Sequence, residues 1–365
     1  MSALDRLFDR LLEREGSDLH LTPGYPPMMR VRGELVADGD RPLTSAEIEG
    51  MLLALTSPGQ TAQFLATGDL DFAHPHGTSA RFRANYMKKL PGVGAVFRAI
   101  PTKILTLDQL GVPAGIRKLA DLRAGLVLVT GAAGSGKSTT LAAMIDHINR
   151  TRQGHILTIE DPVQFVHQPQ KCVITHKEVG VHVPTFLDAI RSAGRENADV
   201  ILVGELRGAE TMKAALQLAS FGILIFATVH ASSAAATIDR YVNAFPADQR
   251  AQVRGLLADS LAGVVAQQLV PKADGKGRVA AHEVLIGNLA LASLISDGKT
   301  QQIGGFIQSG GGEGMQSMDA SLEKHVASGA IKASDALIKA LDKEAFAKLP
   351  RVAAQLGAAG PAGLA

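Results

Sequence analysis

The sequence predicts an α/β protein of two domains, in which a mixed α and β region precedes a larger domain built on a mostly parallel sheet. Two observations favour this fold class. From residue 126 onward, short apolar runs such as "LVLVT", "DVILVGE" and "ILIFATVH" alternate with segments of helical periodicity. Such alternation is typical of parallel strands covered by helices on both faces. In addition, 365 residues are more than one compact domain usually needs.

The first domain, which we assign to residues 1–99, mixes short strands and helices. The opening segment "MSALDRLFDRLLEREG" has leucine and phenylalanine at helical spacing with charges between them, and it lacks the apolar core of a signal peptide. "TSAEIEGMLLAL" predicts a helix capped by Thr44 or Ser45. "MMRVRGELV" and "LDFAH" predict strands.

Arginines mark the end of this first domain. In "SARFRANYM", Arg81 and Arg83 alternate with apolar residues, so a strand would place both guanidinium groups on the face opposite its apolar side. The next strand, "GVGAVFRAI", carries Arg98. Residues 100–115, rich in proline and glycine, predict a linker between the domains.

The second domain is assigned to residues 116–345. Beyond "ILIFATVH" the sequence predicts mostly helix, with an apolar stripe formed by Val253, Leu256, Leu257, Leu261, Val264 and Val265. The small residues of "AAQLGAAGPAGLA" predict a flexible tail over residues 346–365.

Composition excludes several classes of function. The net charge of +2, the absence of tryptophan and the presence of only three tyrosines argue against a nucleic-acid-binding surface. Cys172 is the only cysteine, which excludes an internal disulfide and a multi-cysteine zinc site and fits a reducing compartment. No apolar run approaches the roughly 20 residues of a membrane-spanning helix, so we expect membrane contact only through a partner.

A phosphate-binding loop is the strongest signal. "GAAGSGKST" satisfies G-x-x-x-x-G-K-[ST] between a predicted strand and a predicted helix. Its glycines let backbone N–H groups turn toward phosphates, and the helix N-terminus adds positive potential. Lys137 would reach the β- and γ-phosphates and Ser138 would bind Mg²⁺. The predicted nucleotide-binding residues are Gly131, Ala132, Ala133, Gly134, Ser135, Gly136, Lys137, Ser138 and Thr139.

Two acidic residues at predicted strand ends are candidates for hydrolysis of the nucleotide. Glu205 follows "VILVG" and could orient and deprotonate the attacking water, whereas many P-loop enzymes carry an aspartate where Gly204 stands. Glu160 ends "ILTIE" and could hold Mg²⁺ through water. A solvated acid at a strand end is the alternative for each, but two of them beside a phosphate-binding loop favour the catalytic interpretation.

The remaining candidates are histidine and arginine. His230 closes the strand "FATVH", where it is either a hydrogen-bonded structural residue or a sensor of the γ-phosphate. Arginines from a neighbouring subunit can stabilise transition-state charge, so Arg81, Arg83 and Arg98 are candidates, although such residues are usually solvated surface charges. Arg191 and Arg195 are further candidates.

The motifs resemble, in order, those of the PilT family of type IV pilus retraction ATPases. The resemblance covers residues 16–331 and rests on "GSDLHL", "RFRANYM", "VFRAIPTKILTLDQLG", "GSGKSTTLAAMIDHIN", "HILTIEDPVQFVH", "ADVILVGELR", "FATVHASSAAATIDR", "NAFPADQR" and "GRVAAHEVLIG". It implies a PAS-like N-terminal α+β domain, a RecA-like P-loop domain with a helical C-terminal part, and a cytoplasmic homohexamer at the inner-membrane pilus base. ATP and Mg²⁺ are the implied cofactors, and the implied partner is the inner-membrane platform protein.

The resemblance also assigns roles by position. Lys137 and Ser138 correspond to the Walker A residues, Glu160 to the Asp box, Glu205 to the catalytic glutamate and His230 to the His box. Arg81, Arg83 and Arg98 correspond to arginines that reach a nucleotide bound to a neighbouring subunit.

Two departures from the family pattern keep alternatives open. Retraction members carry Ala-Ile-Arg-Asn-Leu-Ile-Arg-Glu where residues 290–297 read "ALASLISD", and Asn197 stands where aspartate is usual. The alternatives are an accessory ATPase of the PilU kind and a non-catalytic ATP-binding paralogue. Assembly ATPases share the motifs, but a single cysteine and a start at the PAS-like domain argue against them. A RecA-type DNA motor would need basic or aromatic strand-binding loops, and none stands out.

Overall fold

A computed structural model describes residues 2–31, 33–77, 80–100 and 103–358. The chain divides into two compact units. The first comprises Met1–Ile104 with Asp161–Val166, and the second comprises Leu105–Glu160 with His167–Ala365.

The first unit is a six-stranded sheet with three helices. Its strands in spatial order are β3, β2, β1, β6, β5 and β4, and each neighbouring pair is antiparallel. The helices are α1 (Ala3–Glu13), α2 (Ser45–Leu53) and α3 (Pro58–Thr67). The strands are β1 (Asp18–Leu21), β2 (Met28–Val31), β3 (Glu34–Ala37), β4 (Asp69–His76), β5 (Ala80–Lys89) and β6 (Gly92–Ile100). Thr44 is the N-cap of α2, as the sequence predicts.

Aromatic packing holds this unit together. Phe8 of α1 stacks on Phe82 of β5 with ring centroids 4.2 Å apart, and both side chains are fully buried. Along β5, the apolar positions are buried and the alternating positions of Arg81 and Arg83 are more exposed. The predicted two-residue period therefore holds, and it directs the guanidinium groups away from the apolar core.

The second unit contains a seven-stranded sheet in the order β13, β12, β7, β11, β10, β8 and β9. Its strands are β7 (Gly125–Thr130), β8 (Gly154–Glu160), β9 (Cys172–Glu178), β10 (Val200–Val203), β11 (Leu224–Val229), β12 (Leu261–Pro271) and β13 (Arg278–Ile286). All neighbours are parallel except the antiparallel pair β12 and β13. The strands β7, β10 and β11 are buried almost throughout, which explains their continuous apolar runs.

Helices cover both faces of this sheet and form the C-terminal part. They are α4 (Leu107–Leu110), α5 (Ala114–Asp121), α6 (Lys137–Thr151), α7 (Phe186–Ala193), α8 (Ala209–Ser220), α9 (Ala234–Asn243), α10 (Arg250–Ser260), α11 (Leu289–Ser296), α12 (Ile303–Ser309), α13 (Met318–Ala327), α14 (Ala333–Lys339), α15 (Lys343–Ala347) and α16 (Pro350–Ala358). Because β7, β8, β10 and β11 are parallel, their carboxyl ends meet at one edge of the sheet. That edge is where ligands bind in folds of this class.

The predicted helical stripe after β11 is partly wrong. Helix α10 ends at Ser260, and Leu261 begins β12, so Val264 and Val265 are strand residues. A short apolar run that continues a helical pattern cannot be told from a buried strand by periodicity alone. Pairing with β7 on one side and β13 on the other decides the structure here.

The prediction of a flexible tail over residues 346–365 is wrong for its first part. Residues 343–358 form α15 and α16, and Phe346 and Val352 are buried beside α13 and α14. Leu349 and Leu356 also pack against this cluster, but a few apolar residues in an alanine-rich segment gave a weak sequence signal. Residues 359–365 lie outside the described part of the chain.

Within the described ranges, every helix is too short or too polar to cross a bilayer.

Candidate functional site

The phosphate-binding loop joins β7 to α6, and three of its glycines adopt left-handed backbone conformations. The φ angles are +145° at Gly131, +73° at Gly134 and +88° at Gly136. Residues with a side chain rarely adopt these angles. At Gly131 and Gly136 the neighbouring strand β12 also leaves no room for a Cβ atom, because added atoms would lie 2.4 Å and 2.7 Å from atoms of Gln267.

Lys137, the first residue of α6, points back into this loop. Its side chain is buried, and Nζ donates to the carbonyl oxygens of Gly131 at 2.9 Å and Ala132 at 2.8 Å. Burial lowers the pKa of Lys137, and nearby Glu205 partly opposes this shift. Two carbonyl oxygens thus hold the ammonium group at the loop, and the negative charge of a phosphate would compensate its burial further.

Gln267 of β12 is a site residue that the sequence analysis missed. Its amide donates from Nε2 to the Ser135 carbonyl at 2.8 Å and accepts from the Thr140 hydroxyl at 2.7 Å. A glutamine inside the apolar run "LAGVVAQQLV" was the available signal, since buried polar side chains require partners.

The two acidic candidates lie at the carboxyl ends of adjacent parallel strands. Glu160 is the last residue of β8 and is 7% exposed. Glu205 follows β10 after Gly204. Two contacts hold the Glu205 segment against β11: the Thr228 hydroxyl donates to the Gly204 carbonyl, and the Leu206 N–H donates to the Thr228 carbonyl at 3.0 Å.

His230 links Glu205 to the phosphate-binding loop. Its Nε2 lies 3.2 Å from Oε1 of Glu205, and its Nδ1 lies 3.3 Å from the Gly131 carbonyl. Both partners accept hydrogen bonds, so a neutral ring satisfies one contact at a time and a doubly protonated ring satisfies both. Glu205 is also paired with Arg207, whose Nε lies 2.6 Å away.

Hydrogen bonds to β7 and β13 hold the segment after His230. Thr130, at the end of β7, exchanges hydrogen bonds with the backbone of Ala231 at 3.0 Å and 2.7 Å. Ser233 is the N-cap of α9, and its side chain accepts a hydrogen bond from the Ala236 N–H. The buried carboxylate of Glu283 on β13 accepts from the Ala234 N–H at 2.7 Å.

These elements border a cleft of about 450 Å³. The lining consists of the loop residues 131–135, residues 230–232 and 267–269, Arg278 and Lys339. The loop, the histidine and two cations thus share one cavity, which is large enough for a nucleotide.

Arg83 and Arg98, two arginine candidates of the first unit, are held by acidic residues of the same unit. The Arg83 guanidinium binds both carboxylate oxygens of Asp71, with Nε 3.1 Å from each, and this pairing raises the pKa of Arg83. Arg98 donates to the buried Asp18 at 2.8 Å. Arg81 lies on β5 with Arg83 and is partly exposed.

The two other arginine candidates lie at the end of α7. Nη2 of Arg191 is 4.0 Å from Glu210 on α8, and Arg195 donates to the Arg191 carbonyl at 3.5 Å. Arg191 lines a groove with α8 and Pro246, and this groove shares no residue with the cleft at the phosphate-binding loop.

Comparison with known proteins places the chain in a family. The family model described as "Type II/IV secretion system protein" matches residues 68–318. A type IV pilus retraction ATPase, PilT, of Pseudomonas aeruginosa is 46% identical over 330 residues, which cover 90% of this chain and 96% of the relative. The type IV pilus ATPase PilU of the same organism is 38% identical over 336 residues, covering 92% and 88%.

A solved structure confirms the fold class. The crystal structure of the pilus retraction motor PilT with bound ADP superimposes with a TM-score of 0.88 at 37% identity, covering 96% of this chain and all of that one. An N-terminal PAS-like α+β domain therefore precedes a RecA-like P-loop domain with a helical C-terminal part. The chain belongs to the type II/IV secretion system protein family and, within it, to the PilT family of pilus retraction ATPases.

Proposed function

We propose that this protein is a hexameric motor that hydrolyses ATP to retract a type IV pilus. Its place is the cytoplasmic side of the inner membrane at the pilus base, where it would act on the platform protein. The observation that carries the proposal is the contact of His230 with both Glu205 and the phosphate-binding loop. A solvated strand-end acid would not need such a link. A relative has been crystallised with ADP, and the cleft beside the loop fits the same ligand.

Residues of the phosphate-binding loop and of the neighbouring strand ends have separate roles in hydrolysis. Backbone N–H groups of the loop and the N-terminus of α6 hold the phosphates. Lys137 exchanges its carbonyl partners for phosphate oxygens and neutralises charge that develops during phosphoryl transfer. Glu205 orients the attacking water and accepts its proton, while His230 fixes the carboxylate and senses the γ-phosphate through the loop.

The chain also has residues suited to Mg²⁺. Among the described residues, the buried Ser135 hydroxyl has no hydrogen-bond partner. Three glycines shape the loop around a space for phosphates, so the loop fits a nucleotide with its metal ion. Ser138 would bind the ion directly and Glu160 through water, with phosphates completing the set. When bound, Mg²⁺ neutralises phosphate charge.

We further propose that Arg81, Arg83 and Arg98 act on the nucleotide of a neighbouring subunit in the homohexamer. Their placement on the adjacent strands β5 and β6 supports this role, since residues 83 and 98 are direct cross-strand partners. Two cations facing each other repel unless an anion lies between or beside them. Asp71 and Asp18 supply that anion here, and phosphate would do so in the assembly.

An accessory role of the PilU kind is the second candidate, and helix α11 supports it. Leu291 and Ile295 of α11 are buried, Ala290, Ser293 and Ser296 are exposed and uncharged, and the exposed Asp297 is the one charged residue of the segment 290–297. Retraction members of the family carry arginines in this segment. A partner protein that binds retraction ATPases through those arginines would therefore bind this chain weakly.

Deletion of the gene, with fluorescent labelling of the pili, separates these roles. Cells with excess pili that no longer retract indicate retraction. Unchanged pili indicate an accessory role, and bald cells would contradict the proposal in favour of assembly. Salt-dependent binding of DNA to the purified protein would support a DNA motor instead.

A further inference from the structure

A buried amide on β12 holds the phosphate-binding loop from the neighbouring strand. Gln267 is 2% exposed, and β12 runs parallel to β7 with Ala266 opposite Thr130. This register places residue 267 beside the start of the loop. From there its amide binds both the Ser135 carbonyl and the Thr140 hydroxyl, which belong to the loop and to the first turn of α6.

The fit between Gln267 and the loop is close. A Cβ atom at Gly131 would lie 2.4 Å from the Gln267 carbonyl oxygen, and one at Gly136 would lie 2.7 Å from Nε2. Real Cβ atoms do not approach so closely. The backbone of β12 therefore requires a glycine at position 131, and a Cβ at position 136 would displace the Gln267 amide.

The chemistry of the contact selects an amide. One side of the group must donate, to a carbonyl, and the other must accept, from a hydroxyl. A glutamate would present an acceptor to the Ser135 carbonyl, and a methionine would fill the volume without either bond. Leaving the buried Ser135 carbonyl without the donor Gln267 would cost free energy, because that carbonyl is desolvated.

We propose that Gln267 is a positioning residue for nucleotide binding. In a trans peptide the C=O of one residue and the N–H of the next point in opposite directions. Gln267 holds the Ser135 carbonyl toward β12, so the Gly136 N–H points away from β12, where it can meet a phosphate oxygen. The proposal rests on the proposed ATPase function.

The expected signature is a loss of affinity with little loss of turnover. Loop N–H groups hold phosphates that ADP and ATP share, so a misaligned loop weakens ground state and transition state together. In Gln267→Met we expect Kd for ADP and KM for ATP to rise about tenfold, with kcat changed less than about threefold.

Gln316→Met is the matched control. Gln316 also donates from Nε2 to a backbone carbonyl, that of His282 at 2.9 Å, and it is absent from the lining of the cleft. Both substitutions remove one amide-to-carbonyl bond and keep side-chain volume. We expect Gln316→Met to leave Kd for ADP unchanged. Isothermal titration with ADP and steady-state ATPase assays measure the effects.

The outcomes separate this proposal from the proposed function. An unchanged Kd for ADP in Gln267→Met, or an equal rise in Gln316→Met, overturns the positioning role while wild-type hydrolysis stands. Absence of ADP binding in the wild-type protein contradicts the proposed function itself. Thr140→Val, which removes only the second hydrogen bond, provides a test if Gln267→Met does not fold: a smaller rise in Kd supports the role, and no rise contradicts it.

Discussion

Gly134 and Gly136 both adopt left-handed conformations in the phosphate-binding loop, but only Gly136 lies against a neighbouring side chain. A Cβ at Gly134 would meet no atom of the described residues within 4 Å, whereas one at Gly136 would lie 2.7 Å from Nε2 of Gln267. We expect Gly134→Ala to lower the free energy of unfolding by about 1 kcal/mol through backbone strain. Gly136→Ala should cost about 1–3 kcal/mol more because of overpacking. Urea denaturation without nucleotide measures both, and equal losses would contradict the close contact with Gln267.

Burial of His282 makes stability depend on pH. Burial lowers the pKa of His282 from 6.5 to about 4, so the folded protein resists protonation that the unfolded chain accepts. The stability that comes from the low pKa of the folded state is therefore fully present above pH 6.5. It is lost as the pH falls toward 4. The loss amounts to at most about 3 kcal/mol. We expect His282→Leu to show a shallower decline in unfolding free energy between pH 7 and 4.5 than wild type, and identical slopes would contradict this.

The sequence predicted which candidate residues would lie close together where their type and position both follow from a motif. Lys137, Glu205 and His230 lie close together because strand ends of a parallel sheet share one edge. Gln267 was missed because β12 is distant in sequence from the loop and its strand was partly read as helix. The Asp71 partner of Arg83 was also missed, since cross-strand register cannot be read from one strand.

Strand β13 connects two helices through one buried side chain. Glu283 is 4% exposed and accepts hydrogen bonds from the backbone N–H groups of Ala234 and Met318, at the N-termini of α9 and α13. Burial raises the pKa of this carboxyl. The favourable helix N-termini compensate part of the cost of burying it.

We expect Glu283→Leu to lower the free energy of unfolding by about 2–4 kcal/mol, because two buried N–H groups lose their acceptor. Glu283→Gln keeps an acceptor oxygen and should cost less than about half as much. Chemical denaturation of the two variants provides the measurement. Similar stability of Glu283→Leu and wild type would show that the carboxylate does not hold these helices.

Most elements of the parallel sheet could be predicted, since buried strands read as continuous apolar runs between helices. Strand β12 could not, because "VRGLLADSLAGVV" continues the apolar spacing of α10 across the boundary at Ser260. Only its pairing partners β7 and β13 distinguish the two structures. Helix α16 was missed because long-range burial of Val352, not local pattern, fixes it.

At the scale of the whole molecule, substitutions of Arg83 and Asp71 distinguish an intersubunit role of Arg83 from a purely structural one. Either Arg83→Ala or Asp71→Ala breaks the same exposed ion pair, which contributes about 1 kcal/mol or less to stability. If Arg83 acts on a neighbouring nucleotide, only Arg83→Ala lowers the ATPase rate of the assembled protein, by at least tenfold. Equal rates in the two variants would make Arg83 an ordinary surface charge.

The central claim for the molecule is that Glu205 promotes hydrolysis of ATP held by the phosphate-binding loop. The most direct test compares phosphate release and ADP affinity in wild type and Glu205→Gln. Loss of the proton acceptor should reduce kcat by about 100-fold or more, while Kd for ADP changes little because the loop is intact. Turnover by Glu205→Gln at the wild-type rate would contradict a role of Glu205 in hydrolysis.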